Sequence, residues 1–142
     1  MNLSIKHIER TWLDVPFREV PPRNMIRELP HWTLSELCHV TLENGVTGIG
    51  ETMPYYTWGE VTDESVKRAM GKVASEIMWD DTLGAGLQMA LFDAVAKSNE
   101  IPIHHLLGEQ VRQDAPVSWW SMEMCLEDWL LECREALAQG YV

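Results

Sequence analysis

One stretch of the chain, residues 86–108 (GLQMALFDAVAKSNEIPIHHLLG), restricts what the rest can fold into more than any other. Leu87, Ala90, Leu91, Ala94 and Val95 recur at spacings of three and four, which places them along one face of a helix. Asn99 suits the left-handed conformation that closes such a helix, and Pro102 prevents it from resuming. A second apolar group, Ile101, Ile103, Leu106 and Leu107, follows at once and stops at Gly108. The remainder of the chain must therefore supply an apolar surface for a long buried helix with a plug at its end.

The residues before it read as that surface. Residues 3–13 form a strand with a phase slip: Leu3 and Ile5 share one parity, Ile8 and Trp12 the other, and a bulge near His7 reconciles them. Residues 33–43 are a second strand, with Leu34, Cys38, Val40 and Leu42 on one face. Asn44-Gly45 is a hairpin signal whose two turn residues tolerate positive φ, and residues 46–51 return as a third strand. Gly48 and Gly50 weaken that strand in isolation but permit close backbone approach.

Two connections stand out. Residues 15–30 contain Pro16, Pro21, Pro22 and Pro30 with Arg18, Arg23 and Arg27, and the prolines point to a long basic loop, excluding a helix interior or a central strand. Loops of this length are often functional, a solvated connector being the plain alternative. Residues 52–59 (TMPYYTWG) carry Tyr55, Tyr56 and Trp58, which suit either a lid over an apolar ligand or a plug beneath the next helix. Thr62 can cap a helix whose first turn holds Asp63 and Glu64, and Val66, Met70, Val73 and Ile77 give it one continuous apolar stripe. Asp93 lies beside the stripe of the central helix and suits a structural partner better than a catalytic role. His104 and His105 are adjacent, and on a helix they point apart, unlike a metal-binding pair four residues apart.

Beyond Gly108 the character changes. Residues 115–121 (APVSWWS) read as a strand, and residues 125–138 as an amphipathic helix with Leu126, Leu130, Cys133 and Leu137 on one face, stopped at Gly140. Strand, helix and the start of another strand is how a repeating βα architecture opens. A net charge of −11 argues against a nucleic-acid partner, since phosphate binding needs clustered Lys and Arg. Three cysteines without a CxxC spacing suit packed thiols in a reducing compartment. The absence of a long apolar run and of a signal-like start adds the expectation of a cytoplasmic protein with no membrane segment.

Taken in order, Asn44-Gly45, Gly48-Ile49-Gly50-Glu51, Ala90-Leu91-Phe92-Asp93, Lys97, Pro102, Leu106-Leu107-Gly108 and Gly140-Tyr141 resemble the N-terminal capping domain of the enolase superfamily, in its mandelate racemase and muconate lactonizing enzyme branch. The resemblance implies an α+β fold: a three-stranded antiparallel sheet followed by a helical bundle over residues 1–112. Residues 113–142 would then be the first strand and helix of an incomplete (β/α) barrel. It implies the cap of an enzyme that abstracts a proton next to a carboxylate, as a racemase, epimerase, cycloisomerase or acid-sugar dehydratase. By position it assigns Arg18, Arg23, Tyr55, Tyr56 and Trp58 to a substrate-closing lid, where arginines hold an anion and aromatics exclude water. Mg²⁺ and a small carboxylate substrate are implied for the complete enzyme. The chain alone is expected to bind no metal and to hold no catalytic residue. The alternative from another class is a stand-alone, non-catalytic binding or interaction module.

The last segment carries an energetic expectation. Val117, Trp119, Trp129, Leu130 and Leu137 bury against neighbours in such a barrel, and leaving them exposed forfeits roughly 10 kcal/mol. Residues 115–142 are therefore expected to fold back on the cap, to pair with another copy as a homo-oligomer, or to be disordered.

Overall fold

The computed structural model describes residues 2–25, 29–55 and 59–141. Three antiparallel strands in the order β1-β2-β3 make the sheet: β1 (Ile5–Asp14), β2 (Leu34–Leu42) and β3 (Thr47–Thr52). The expected bulge is present, since the β1–β2 register shifts between Ile5 and His7. The hairpin is tighter in its demands than expected. Only Gly45 takes a positive φ, of 87°. Asn44 instead accepts from the Val46 amide at 3.1 Å and donates to Ser98 Oγ at 3.0 Å, tying the turn to the central helix.

That helix, α4 (Ala85–Ser98), lies across one face of the sheet. The buried face of β2 (Cys38, Val40, Leu42) meets Leu87, Ala90, Leu91, Ala94 and Val95, the stripe read from the sequence. The approach is close enough to be backbone on backbone. A Cβ at Gly48 would stand 2.1 Å from the Ala90 carbonyl oxygen, and one at Gly50 2.0 Å from that of Gly86. The helix ends one residue later than the sequence indicates. Asn99 keeps a negative φ, and Glu100 takes the left-handed position at φ 55°. The Glu100 and Ile101 amides then donate to Lys97 and Ala96, satisfying carbonyls the helix end leaves open.

Three local expectations are corrected. The basic stretch is not all loop: α1 (Val20–Met25) contains Pro21 and Pro22. Both fall in its first turn, where the amide hydrogens they lack have no intrahelical partner anyway. The helix starting at Thr62 breaks in two, α2 (Asp63–Ala69) and α3 (Ala74–Ile77). Gly71 turns left-handed at φ 74°, because residues 71–74 leave the helix to hydrogen-bond with Leu3 and Ile5 beside the start of β1. Residues 115–121 are irregular rather than a strand. No described strand lies alongside to take their backbone groups, and an unpaired strand is not stable in water.

After α5 (His104–Leu107) the chain runs irregularly to α6 (Leu126–Ala138), which folds back onto α1. Folding back on the cap, one of the three outcomes expected for this segment, is present within the chain. Much of its apolar surface stays outward all the same: Val117, Leu126, Leu130 and Leu137 are exposed, Leu137 at 67%.

The three cysteines are free and differ in accessibility. Cys38 is fully buried, and burial, reinforced by the neighbouring Glu36 charge, pushes its thiol up to about 11. Cys125 and Cys133 are exposed. Titration of the native chain with Ellman's reagent is expected to find two rapid thiols, the third appearing only on unfolding. Three rapid thiols would contradict the packing of Cys38 under α4.

Candidate functional site

The long connections leave the sheet at one end, where Asp14 pairs with Leu34 and Glu36 with Thr52. Here three segments far apart in sequence meet. Tyr55, just past β3, is 63% exposed; its ring lies 4.7 Å from His31 and 6.1 Å from Trp12. Trp12, near the end of β1, is itself half exposed. A little further on, Trp32 sits 5.8 Å from Trp120 of the folded-back segment. The result is an outward aromatic surface, so Tyr55 is not a plug beneath a helix. Tyr56 and Trp58, the other two aromatic candidates, lie outside the described residues.

The arginine candidates have protein carboxylates as partners. Arg18 donates from Nη2 to Glu132 Oε2 at 2.7 Å, and its guanidinium lies 4.4 Å from the Trp119 ring centre. Trp119 Nε1 donates to the same Glu132 oxygen at 3.0 Å. Arg23 makes a two-pronged pair with Asp128, Nε to Oδ2 at 3.0 Å and Nη2 to Oδ1, while Asn24 Nδ2 donates to Oδ2 at 2.8 Å. Asp128 and Glu132 are both buried. The Arg23 and Asn24 hydrogen bonds hold the Asp128 carboxyl well below the usual range, to about 2. In this structure Arg18 and Arg23 thus fasten the basic loop to α6.

The stems of the aromatic loop are fixed from inside. Helix α4 begins at Gly84 with no side-chain cap. Its first amides go instead to the loop: Gly86 N donates to Thr52 Oγ1 at 2.7 Å, and Ala85 N to the Gly59 carbonyl at 2.6 Å. Asp93 is likewise structural, accepting from the Ile49 amide at 2.8 Å and from Lys97 Nζ at 2.7 Å. His104 and His105 stack edge to face, both exposed. Among the described residues no group of three or more His, Cys, Asp or Glu is placed to hold a metal ion. No helix among them is long and apolar enough to cross a membrane.

Sequence reasoning missed Trp12 and His31. The available signal was a bulky aromatic on the outer parity at the end of a strand, directly before the connection already singled out.

No known family profile matches the chain. It is 29% identical over 142 aligned positions to muconate cycloisomerase 1 of Rhodococcus opacus, which covers 83% of this chain and 37% of that protein. It is 28% identical over 129 positions to chloromuconate cycloisomerase of Cupriavidus pinatubonensis, covering 75% and 34%. Among solved structures, the muconate lactonizing enzyme of Pseudomonas putida superposes with a TM-score of 0.69 at 22% identity, over 95% of this chain and 40% of that one. A dipeptide epimerase from Methylococcus capsulatus, complexed with a magnesium ion, gives 0.69 at 21% identity, over 97% and 42%. The fold is that of an enolase-superfamily N-terminal capping domain. The chain spans little more than a third of the length of the curated relatives it matches.

Proposed function

We propose that the chain serves as the capping portion of an enolase-superfamily enzyme acting on a small carboxylate, as a cycloisomerase, epimerase, racemase or acid-sugar dehydratase, and supplies substrate-closing loops rather than the reacting groups. The observation that carries this reading is the coverage: nearly all of this chain superposes on about two-fifths of enzymes of that kind. Tyr55, with Trp12 and His31 beside it, walls the ligand and keeps water away, with Tyr56 and Trp58 added by sequence position. Arg18 and Arg23 are assigned to the same lid by sequence position, while their guanidiniums pair with Glu132 and Asp128 of α6. Magnesium stabilises an enediolate in such enzymes when bound. The described residues do not fit a magnesium site, and on this reading its ligands lie in the barrel portion of such an enzyme. Three free thiols suit a cytoplasmic setting.

The test is α-proton exchange in D₂O, followed by NMR with Mg²⁺ on a panel of muconolactones, dipeptides and acid sugars. The chain alone is expected to give no exchange above buffer. Joined to the barrel portion of a muconate cycloisomerase it is expected to give turnover that Tyr55→Ala weakens chiefly through KM. Turnover by the isolated chain would overturn the division of labour. A second reading, a non-catalytic interaction module, draws on the exposed Val117, Leu126, Leu130 and Leu137. It predicts a homo-oligomer in sedimentation that Leu130→Glu disperses.

A further inference from the structure

Arg10 and Glu36 stand where the two stems of the aromatic loop come together. Arg10, on β1, donates from Nη1 to the Val61 carbonyl at 2.6 Å and from Nη2 to the Asp63 carboxylate. These lie on the returning stem just past Gly59 and at the start of α2. Its Nε lies 3.7 Å from Glu36 Oε1, and Glu36 is directly opposite Thr52, the last residue of the outgoing stem. One guanidinium thus bridges the sheet at the loop's exit to the chain at its re-entry.

Glu36 is an expensive residue to place there. It is 3% exposed, and its second oxygen, Oε2, has no hydrogen-bond partner among the described residues. Burial raises its carboxyl above the ordinary value, and the repulsion of Glu60 and Asp63 adds to this; the Arg10 charge offsets only part. A carboxyl raised in the folded state binds more protons there than in the unfolded chain. Stability is therefore lost as pH rises through the window from the unfolded value to the folded one. At neutral pH the Glu36 charge works against folding, so global stability does not explain it. What the charge does accomplish is to fix a guanidinium whose other polar partners among the described residues are a carbonyl and an exposed carboxylate.

We propose that Arg10 and Glu36 are positioning residues for the aromatic loop: Glu36 orients the Arg10 guanidinium, and Arg10 holds Val61 and Asp63 so that the loop returns to one place beside Thr52. Their value to function rests on the reading of Tyr55 as ligand-facing; the placement itself does not.

The experiment is amide hydrogen exchange on the full chain and on Glu36→Gln, Arg10→Met and Arg10→Lys. In Glu36→Gln and Arg10→Met, amides of residues 61–66 are expected to exchange about tenfold faster while those of residues 38–41 and 48–50 stay within about twofold. Arg10→Lys is expected to recover part of the protection, and Glu36→Gln to melt no lower than the parent. The proposal is overturned if residues 61–66 keep their protection in Glu36→Gln, or if the sheet amides accelerate alongside them. Should Arg10→Met fail to fold, the near-isosteric Glu36→Gln decides alone. Because exchange involves no substrate, a negative result here leaves the enzymatic reading standing. Absence of turnover with a supplied barrel leaves this one standing.

Discussion

Gly50→Val is expected to cost at least about 3 kcal/mol, the upper end of what overpacking a core ordinarily does. The added Cβ would lie 2.0 Å from the Gly86 carbonyl oxygen and 2.6 Å from the Ala90 amide nitrogen. Both are backbone atoms of α4, so no rotamer change relieves the clash and the helix must lift from the sheet. Lifting it also loosens Leu87 and Leu91 from Cys38 and Val40. Against a total stability of about 5–15 kcal/mol for a domain, the folded population becomes precarious. Urea midpoints measure the effect. Gly45→Ala is the control, since its φ of 87° strains alanine but no atom lies within 4 Å of the new Cβ. There the expected loss is about 1–2 kcal/mol. Equal midpoints for the two variants would show that the helix does not rest on the strand backbone.

The second large effect is local. Asp128→Ala removes the acceptor for Arg23 and Asn24 and leaves their donors without it on the face of α1. Five large apolar side chains of α6 (Leu126, Trp129, Leu130, Leu131 and Leu137) face solvent, so the ion pairs of Arg18 and Arg23 are taken as its main fastening. Cleavage within α6 by a dilute protease is expected to accelerate on the order of a hundredfold, with the sheet and α4 untouched. The pH dependence follows from the depressed carboxyl. Its contribution is complete above the ordinary aspartate range and is lost progressively as pH falls from that range to about 2. Docking of α6 should therefore persist at pH 4. Rapid cleavage there in the parent chain would contradict the pairing.

What was legible in the sequence was what neighbours along the chain decide. The α4 stripe, the bulge near His7, the Asn44-Gly45 turn and the Thr62 cap all depend on residues within a few positions. What was illegible depends on distant partners. Gly71 breaks the second helix only because Leu3 and Ile5 need hydrogen-bond partners there. Residues 115–121 have strand-like composition but no strand beside them. Arg18 and Arg23 announced a cationic loop, yet the carboxylates they meet lie 114 and 105 residues away, and no spacing rule reaches that far. The aromatic surface was half legible: Tyr55 came from its loop, whereas Trp12 read as one more strand residue until the fold set it beside His31.

The tether from Asp93 to the Ile49 amide has a bearing on how copies of this chain behave when crowded together. Strand β3 is the outermost of its sheet on one side, and a bare outer strand invites a neighbour to dock and propagate into fibrils. Here the hydrogen a newcomer needs is already spoken for, and a carboxylate stands in its path. Growth of the sheet from molecule to molecule is thus discouraged at that margin, by the same side chain that clips the helix to it.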